Sequence, residues 1–314
     1  MKELKILFIG VGSIAKRHIE NVRRVSQERQ IFCCIDAFRS GINSKISVNV
    51  EHVYYNYADV PNDYDVIFIT NPTELHMDTL RKFHDNGRHF FIEKPICTLE
   101  QLDSCDLPSL RKNSIYYVAS PLRYTRVIQY VKNSINIDCV LAARGISSSY
   151  LPEWRPRVDY RQTYSAQKAL GGGVAIDLIH EWDYLTYLFG KPKSVKSILR
   201  KVSNLEIDTE DIAIYIGEYD TKVVELHLDY LGRVPIRKLE LFTDEDTIEC
   251  DLINSRVTYL KSGKIIEFGQ ERNDFQMEEI EHFFDLIIEN VYENKILEAI
   301  DVLRCTKGIA TSDT

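Results

Sequence analysis

Three side chains in two short motifs have the properties that oxidation of an alcohol requires. Lys94 lies between Glu93 and Pro95, and Asp177 and His180 stand three residues apart. Removing the hydroxyl proton needs a base, and histidine suits that role because its ordinary pKa is about 6.5. A lysine ammonium aimed at the oxygen stabilises developing alkoxide charge. An aspartate beside the histidine would fix its tautomer, and on one helix this spacing places both on one face.

Each of these three residues also has a purely structural interpretation. Lys94 follows an apolar run and could be a surface lysine after a strand. Asp177 could be a helix-end or salt-bridge carboxylate, and His180 could be a helix histidine that is hydrogen-bonded in a domain interface. Residue type and spacing alone leave these alternatives open.

A glycine-rich turn near the start of the chain matches the G-x-G-x-x-G/A fingerprint in its required context. It follows an apolar run at 6–9 and opens a predicted helix. Gly10 permits the tight turn, Gly12 lets the backbone approach a pyrophosphate, and Ala15 allows close packing of helix and strand. Together with Ser13 and Ile14 they place unpaired N–H groups at a helix N-terminus, which attracts phosphate. The turn therefore predicts a bound dinucleotide.

An acidic residue after the second apolar run bears on the choice of dinucleotide. Asp36 stands about 24 residues after Gly12, where a carboxylate is expected to hydrogen-bond the adenosine ribose. A carboxylate there disfavours a 2′-phosphate, so the sequence favours NAD over NADP. Arg39 is only three residues further along, and it keeps NADP possible.

The elements that must position these residues alternate in the first third of the chain. Five apolar runs predict strands, at 6–9, 31–35, 65–70, 89–92 and 115–118. Two amphipathic stretches predict helices, at 14–25 and 75–86. This alternation predicts a parallel sheet covered on both faces. Because ligands bind beyond the carboxyl ends of parallel strands, Lys94 is expected at the cofactor cleft.

After residue 122 the pattern changes to one strand directly following another. Helices are predicted at 124–133, 174–188, 275–290 and 296–309, with a strand at 139–148 and several more between 194 and 267. Successive strands without helices between them predict a largely antiparallel sheet. The predicted fold class is α/β, with an N-terminal Rossmann domain holding a doubly wound parallel sheet at 1–122. A C-terminal α+β domain with a large, mostly antiparallel open sheet is predicted at 123–314.

Composition and charge exclude several classes of function. A chain of 314 residues suggests two domains. The net charge of −8 argues against nonspecific nucleic-acid binding, and no stretch approaches the ~20 apolar residues of a membrane span. The first apolar run is too short for a signal peptide, so a cytoplasmic protein is expected. The seven cysteines and the other histidines, such as His18, lack metal-ligand spacing, so reduced thiols and no metal site are predicted.

Over nearly its whole length the sequence resembles the glucose–fructose oxidoreductase / inositol dehydrogenase / rhizopine-catabolism (Gfo/Idh/MocA) family. The shared motifs are the turn at 10–15, Thr70-Asn71-Pro72 with His76, Gly87 with Glu93-Lys94-Pro95, Arg123-Tyr124, the glycines 171–173, Asp177, His180, Asp183 and the closing helices. Members of the family act on many sugars and polyols. The resemblance implies an NAD(P)-dependent dehydrogenase or reductase that acts on a secondary alcohol or ketone of a sugar.

The resemblance also implies roles for individual residues. Lys94 would contact the reacting hydroxyl, Pro95 would shape the cleft through a cis peptide, and Asp177 and His180 would be the acidic and histidine partners near the substrate. Contacts to the cofactor, NAD or NADP, would come from Gly10, Gly12, Ser13, Ile14, Asp36, Arg39, Thr70, Asn71, Pro72, His76, Glu93 and Lys94.

One spacing departs from the family. The family usually places its histidine four residues after the aspartate, whereas here the spacing is three. Without a gap, Glu181 falls in the histidine column. His180 keeps the family's spacing to Asp183, so we prefer a one-residue contraction, and the acid/base stays open between His180 and Glu181.

The segment 150–167 is rich in arginine and aromatic residues. In the family this region reaches over the substrate cleft, and long loops in compact domains are often functional. Arginine can bind a carboxylate or phosphate through two parallel hydrogen bonds, and aromatic rings stack on sugar faces. We hypothesise an anionic sugar of surface-glycan metabolism, such as a nucleotide sugar or a sugar acid; a solvated or dimer-interface loop is the alternative. The candidate substrate-binding residues are Arg123, Trp154, Arg155, Arg161 and Tyr164.

Two other functions occur on this fold family. One is a glycoside hydrolase that uses a tightly held NAD through transient oxidation, and the other is a non-catalytic sugar or NAD(P) sensor. A sensor is disfavoured because Lys94, Asp177 and His180 are all present. Because family members commonly associate through the flat face of the second-domain sheet, a homodimer or homotetramer is expected.

Overall fold

A computed structural model describes residues 3–40, 49–104 and 107–308. The chain divides into two units, each made of two segments. Met1–Ala119 and Gln276–Ile300 form the first unit, and Ser120–Phe275 and Asp301–Thr314 form the second. The sequence pattern places a boundary at 122 and assigns 276–300 to the second domain. In the structure, that segment belongs to the first unit.

The first unit contains a sheet of six parallel strands in the order β3-β2-β1-β4-β5-β6. The strands are β1 Leu4–Ile9, β2 Cys33–Phe38, β3 His52–Tyr54, β4 Tyr64–Ile69, β5 Gly87–Ile92 and β6 Tyr116–Val118. The helices between them include α1 Ser13–Glu28 and α2 His76–Phe83. The strand order reverses between β1 and β4, and ligands bind beyond the carboxyl ends of the strands at such a point. The predicted doubly wound fold is confirmed.

The C-terminal segment joins the first unit because it carries an amphipathic helix, α6 Asp274–Glu289. Its Ile280 and Phe283 are fully buried in the same core as Phe68 and Phe91. The ring of Phe283 meets that of Phe91 edge-on, with centroids 5.4 Å apart. Periodicity along the sequence identifies the apolar face of such a helix but does not tell which core it covers, which explains the difference from the predicted domain boundary.

The second unit contains an eight-stranded sheet in the order β14-β13-β12-β11-β7-β10-β9-β8. Its strands are β7 Val140–Ser148, β8 Ser194–Arg200, β9 Ile212–Glu218, β10 Val223–Asp229, β11 Ile236–Thr243, β12 Thr247–Asp251, β13 Arg256–Tyr259 and β14 Ile265–Glu267. All pairs are antiparallel except β7 and β10. In β9, Ala213 and Tyr215 are buried whereas Ile214 and Ile216 are exposed. One face of the sheet therefore packs on a core, and the predicted open, mostly antiparallel sheet is confirmed.

One helix predicted in the second unit is interrupted in the structure. The sequence predicts a single helix over 174–188, but the structure has two, α4 Val174–Asp177 and α5 His180–Phe189. Leu178, between them, has φ −99° and ψ 26°, outside the helical region. Asp177 ends one helix and His180 begins the next, so the same-face argument for a continuous helix does not apply to them. The second unit also contains α3 Arg126–Ser134, and the residues of α7 Ile296–Thr306 are divided between the two units.

Helix length bears on membrane insertion. The longest helices in the described ranges, α1 and α6, have 16 residues each. No helix within those ranges combines the length and the apolar character that crossing a bilayer demands.

Candidate functional site

The turn after β1 requires glycine at its first position. Gly10 has a φ of +92°, in a region that other L-residues rarely adopt. A Cβ on Gly10 would lie 2.7 Å from the backbone nitrogen of Asn71. The turn after β1 therefore packs directly against the turn after β4, which fixes the spacing of the two turns.

The amino terminus of α1 has the features of an anion site. Gly12 precedes the helix and gives it no side-chain cap, and a Cβ on Gly12 would meet no atom of the described residues within 4 Å. Ser13 is exposed and Ile14 is half-buried. Uncapped N–H groups at the start of a 16-residue helix, with open space beside Gly12, fit a pyrophosphate.

Hydrogen bonds tie the neighbouring turn to this one. Thr70 Oγ1 donates to the carbonyl oxygens of Ile9 and Gly10, each at 3.1 Å. Asn71 Nδ2 donates to Thr79 Oγ1 on α2 at 2.7 Å. The ends of β1 and β4 and the helix α2 are thereby held together as the walls of one cleft.

That cleft has a volume of about 580 Å³, within the range of roughly 300–1,000 Å³ that is typical of small-molecule sites. We call it the cofactor cleft. Its lining includes Gly10, Gly12, Phe38, Arg39, Ser40, Asn71, Pro72, Asp78 and Lys82. The predicted residues of the two turns and Arg39 thus line one cleft. The residues present there fit a dinucleotide.

Asp36 is not at the position that the sequence predicts for it. The strand β2 continues to Phe38, two residues beyond Asp36. The Tyr64 hydroxyl donates to Asp36 Oδ2 at 2.7 Å, and the carboxylate is buried. Burial, followed by this hydrogen bond, raises the pKa of Tyr64 above its ordinary value. Asp36 does not belong to the described lining of the cofactor cleft, because the strand is longer than its apolar run indicates.

His76 lies beneath the cofactor cleft, fully buried at the start of α2. Its Nε2 is 2.9 Å from the carbonyl oxygen of Asn71, and its Nδ1 is 2.9 Å from that of Pro95. Burial lowers the pKa of His76, although the two carbonyl groups oppose that shift. The ring therefore joins the turn after β4 to the segment after β5, which makes it a positioning residue.

Glu93 and Lys94 follow β5 directly. Glu93 Oε1 lies 2.5 Å from His18 Nε2 on α1. Burial alone would raise the pKa of Glu93, but the hydrogen bond and charge of His18, together with Lys94, lower it below its ordinary value. Lys94 is half-buried, and its peptide bond to Pro95 is cis. His18 thus fixes the residue beside Lys94, a role that the sequence reasoning missed.

In the second unit Asp177 is held by two tyrosines. The Tyr230 hydroxyl donates to Asp177 Oδ2 at 2.5 Å, and the Tyr164 side chain also hydrogen-bonds Asp177. Burial is the main reason why the pKa of both tyrosines lies well above the ordinary tyrosine value, and the charge of Asp177 adds to the shift. Both hydroxyls therefore stay protonated and donate to the carboxylate.

Glu210 completes this group, which we call the Asp177 cluster: Tyr164, Asp177, Glu210 and Tyr230. Glu210 Oε1 accepts a hydrogen bond from the backbone N–H of Ala175 at 3.2 Å. Burial raises the pKa of Glu210, and the charge of Asp177 adds to that shift. Gly172 permits the arrangement, because a Cβ there would lie 1.9 Å from the carbonyl oxygen of Tyr164. Tyr230 and Glu210 were not predicted, since neither stands in a recognisable motif.

The structure separates the two candidates for the acid/base. Glu181 is completely buried, and its Oε1 accepts a hydrogen bond from Arg237 Nε on β11 at 2.7 Å. His180 is half-buried at the first position of α5. Glu181 therefore has the environment of a structural ion pair, whereas the His180 side chain is partly accessible.

Two of the predicted substrate arginines are already bound by carboxylates. Arg123 makes two hydrogen bonds to Asp183, at 2.9 and 2.6 Å, and is buried. Arg161 pairs with Asp159 at 2.9 Å and with Glu206 at 3.1 Å. Each guanidinium thus has acidic neighbours that its motif does not reveal, and a role for Arg123 or Arg161 in substrate binding stays a prediction.

The remaining residues of the aromatic segment surround a small pocket. Trp154 donates from Nε1 to Ser149 Oγ at 2.8 Å, and its ring meets that of Tyr230 edge-on at 5.2 Å. Arg155 is exposed and lines the pocket together with Trp154 and Tyr164. Of the five predicted substrate residues, Tyr164 thus belongs to the Asp177 cluster, and Trp154 and Arg155 line a pocket beside it.

Comparison with known proteins identifies the family. Residues 4–118 match the NAD-binding Rossmann fold of the Gfo/Idh/MocA oxidoreductases, and residues 147–234 match their C-terminal α/β domain. The chain belongs to this family. It is accordingly an NAD-binding oxidoreductase, and the predicted family, enzyme class and nicotinamide cofactor are confirmed.

Individual relatives are distant in sequence. The chain is 24% identical over 319 residues to an uncharacterised oxidoreductase, YrbE of Bacillus subtilis, with 96% of this chain and 87% of the relative covered. It is 24% identical to levoglucosan dehydrogenase of Pseudarthrobacter phenanthrenivorans over 140 residues, which cover 44% of this chain and 36% of that one.

Solved structures share the fold over nearly the whole chain. Levoglucosan dehydrogenase in complex with NADH has a TM-score of 0.82 at 16% identity, with 98% of this chain and 96% of that chain covered. UDP-N-acetylglucosamine 3-dehydrogenase from Acidithiobacillus ferrooxidans has a TM-score of 0.75 at 18% identity, covering 99% and 97%. These likenesses show the fold.

Proposed function

We propose that the protein transfers a hydride between a nicotinamide dinucleotide and a secondary alcohol or ketone of a sugar. The observation that carries the proposal is the cofactor cleft, whose two turns are locked by Gly10 and Asn71, with Lys94 beyond the end of the neighbouring strand β5. The nicotinamide, when bound, supplies the hydride acceptor or donor. Sugars are proposed because relatives of this fold are named as dehydrogenases of levoglucosan and of UDP-N-acetylglucosamine.

Each catalytic candidate has a role that its surroundings support. Lys94 stabilises charge on the reacting oxygen, and the His18–Glu93 contact holds the residue next to it. His180 takes the hydroxyl proton, since it is partly accessible and Glu181 is committed to Arg237. Asp177 acts as the acidic partner, and the Tyr230 and Tyr164 side chains hydrogen-bond its carboxylate.

For the substrate class we propose an anionic sugar, such as a nucleotide sugar or a sugar acid. Arg155 supports this, because it is exposed beside Trp154 and Tyr164, where a guanidinium can bind an anion while a ring packs on the sugar. Arg157 is exposed nearby. In an affinity screen, anionic sugars should bind more tightly than neutral analogues, and Arg155→Gln should remove the difference. Equal affinity for neutral and anionic sugars would contradict the substrate class.

The role of Lys94 is tested by separating binding from turnover. Lys94→Ala should abolish turnover while the Kd of the dinucleotide, measured by calorimetry, stays nearly unchanged. Lys112→Ala, which removes an exposed lysine of the same unit, serves as the control and should leave both quantities as in the wild type. If Lys94→Ala weakens dinucleotide binding as much as it reduces turnover, the role assigned to the ammonium is wrong.

We also infer that the protein forms a homodimer or homotetramer through the open face of the second-unit sheet. Ile198 is 58% exposed and pairs across the sheet with Ile214, which is 37% exposed, next to the exposed Ile216. Clustered apolar side chains on an exposed face mark an interaction surface. Light scattering after gel filtration should show an oligomer for the wild type and a smaller species for Ile214→Asp. A wild-type monomer would contradict this inference.

A further inference from the structure

The register of β2 moves the acidic residue away from the adenosine end of the cleft. In the parallel pairing of β1 with β2, Ile9 stands opposite Phe38, whereas Asp36 stands opposite Leu7. The backbone N–H of Gly10 donates to the carbonyl oxygen of Phe38 at 3.1 Å. Phe38 is therefore level with the glycine turn, and the residues that follow it occupy the place where a ribose-binding carboxylate is expected.

The Asp36 carboxylate also faces the wrong way to meet a ribose in the cleft. It accepts a hydrogen bond from Tyr64, the first residue of β4 and hence a residue at the amino end of the sheet. One of its oxygens lies within 4.8 Å of Cys34 Sγ and of a Glu51 carboxylate oxygen. Asp36 is only 8% exposed, so the side chain is committed to contacts inside the sheet.

Cations replace the carboxylate at the edge of the cofactor cleft. Arg39, Ser40 and Lys82 all line it, and Lys82 Nζ lies 4.8 Å from the ring centroid of Tyr57. Among the residues that the structure describes, no carboxylate forms an ion pair with either Arg39 or Lys82. Asp78 is the acidic residue of the lining, and its carboxylate accepts a hydrogen bond from Arg81 at 2.5 Å.

We propose that Arg39, Ser40 and Lys82 bind the 2′-phosphate of NADP(H), so that the cleft takes NADP(H) in addition to NAD(H) and binds it more tightly. An arginine fork can make two parallel hydrogen bonds to a phosphate, and lysine adds a point charge. An arginine near the end of the second strand is the arrangement that accommodates a 2′-phosphate in this fold. The inference rests on dinucleotide binding by the first unit, as the proposed function does, and adds specificity for its phosphorylated form.

The test measures binding, so it does not depend on the unknown substrate. Titration calorimetry on the full chain should give a Kd for NADPH at least about tenfold below that for NADH, since a charge-assisted contact contributes more than a tenfold factor. Adenosine 2′,5′-bisphosphate should likewise bind more tightly than adenosine 5′-monophosphate. The advantage should shrink as salt is raised, because exposed charges are screened.

Single substitutions show which side chains bind the 2′-phosphate. Arg39→Gln and Lys82→Gln should each weaken NADPH binding about tenfold and leave the Kd of NADH nearly unchanged. Arg81→Gln removes the neighbouring cation, which is engaged with Asp78, and should change neither. Asp36→Asn should leave the NADPH/NADH ratio of affinities unaltered, and its melting temperature reports separately on folding.

The outcomes distinguish this proposal from the proposed function. Tighter binding of NADH than of NADPH, or an NADPH affinity that Arg39→Gln does not change, would overturn the 2′-phosphate subsite while leaving the oxidoreductase assignment intact. A fall in NADH affinity on Asp36→Asn, with no loss of melting temperature, would show that Asp36 does contact the ribose and would also overturn it. If the wild-type protein bound neither dinucleotide, both proposals would fall.

Discussion

The cofactor cleft and the Asp177 cluster position their chemistry by different means. In the cleft the backbone does the positioning: Gly10 has a positive φ and packs on the backbone of Asn71, and Thr70 bonds to backbone carbonyl groups. In the Asp177 cluster side chains hold one another, as Tyr230 and Tyr164 donate to a single carboxylate. A side-chain atom added to a turn should therefore disrupt the cleft, whereas removal of a hydroxyl group should weaken the Asp177 cluster.

The largest effect is expected from adding one methyl group at the cleft. Gly10→Ala combines a positive φ with a Cβ that is 2.7–2.9 Å from three backbone atoms, so it should cost about 4 kcal/mol in the free energy of unfolding and abolish dinucleotide binding. Gly12→Ala is the matched control: its Cβ meets no atom within 4 Å in the part of the chain that the structure describes, so stability should hold while the added methyl group hinders pyrophosphate binding. Denaturant unfolding and calorimetry measure the two quantities. Equal stability of the two variants would show that the close packing at Gly10 does not constrain the turn.

The next effect concerns removal of a charge in the second unit. Arg123→Gln leaves Asp183 without its bidentate partner; the two side chains are 11% and 15% exposed, so we expect a loss of about 2–3 kcal/mol, somewhat below that for a fully buried pair. Arg155→Gln should leave stability unchanged and raise the KM for substrate, because Arg155 is exposed at the pocket. If Arg123→Gln changes KM without destabilising the protein, Arg123 belongs to the substrate site after all.

A smaller effect tests the hydrogen bonds of the Asp177 cluster. Tyr230→Phe removes a donor to a buried carboxylate and should cost about 1–2 kcal/mol in stability. Tyr219→Phe is the control, since the buried Tyr219 hydroxyl has no hydrogen-bond partner within the described ranges, and it should be neutral or slightly stabilising. Similar losses for the two variants would mean that the hydrogen bond to Asp177 does not set the cost.

The smallest effect concerns pH and the ion pair beside Lys94. The pKa of Glu93 is lowered in the folded state, so its ionised form stabilises the protein above the ordinary carboxyl pKa. That contribution is lost as the pH falls through the lowered pKa. The gap in melting temperature between the wild type and Glu93→Gln should therefore narrow as the pH falls from 7 to 3. A gap that is constant with pH would show that the His18 contact does not stabilise the charged carboxylate.

The sequence predicted the cleft better than the cluster for a physical reason. The carboxyl ends of neighbouring parallel strands share one edge, so apolar runs and a glycine turn suffice to bring Gly10 and Asn71 together. Asp36 was misplaced because the end of a strand is less well determined than its existence. No periodicity relates Tyr164, Glu210 and Tyr230, which meet Asp177 through loops and strand ends. The pairing of Arg123 with Asp183 and of Arg161 with Asp159 likewise depends on tertiary geometry.

The most direct test of the oxidoreductase assignment is the stoichiometry of hydride transfer. The protein is mixed with oxidised dinucleotide and a panel of neutral and anionic sugars, and the absorbance of the reduced nicotinamide is followed together with the amount of sugar converted. One reduced nicotinamide should form for each sugar oxidised. Conversion of a sugar at constant absorbance would contradict it and would point instead to chemistry in which the nicotinamide is returned to its starting state.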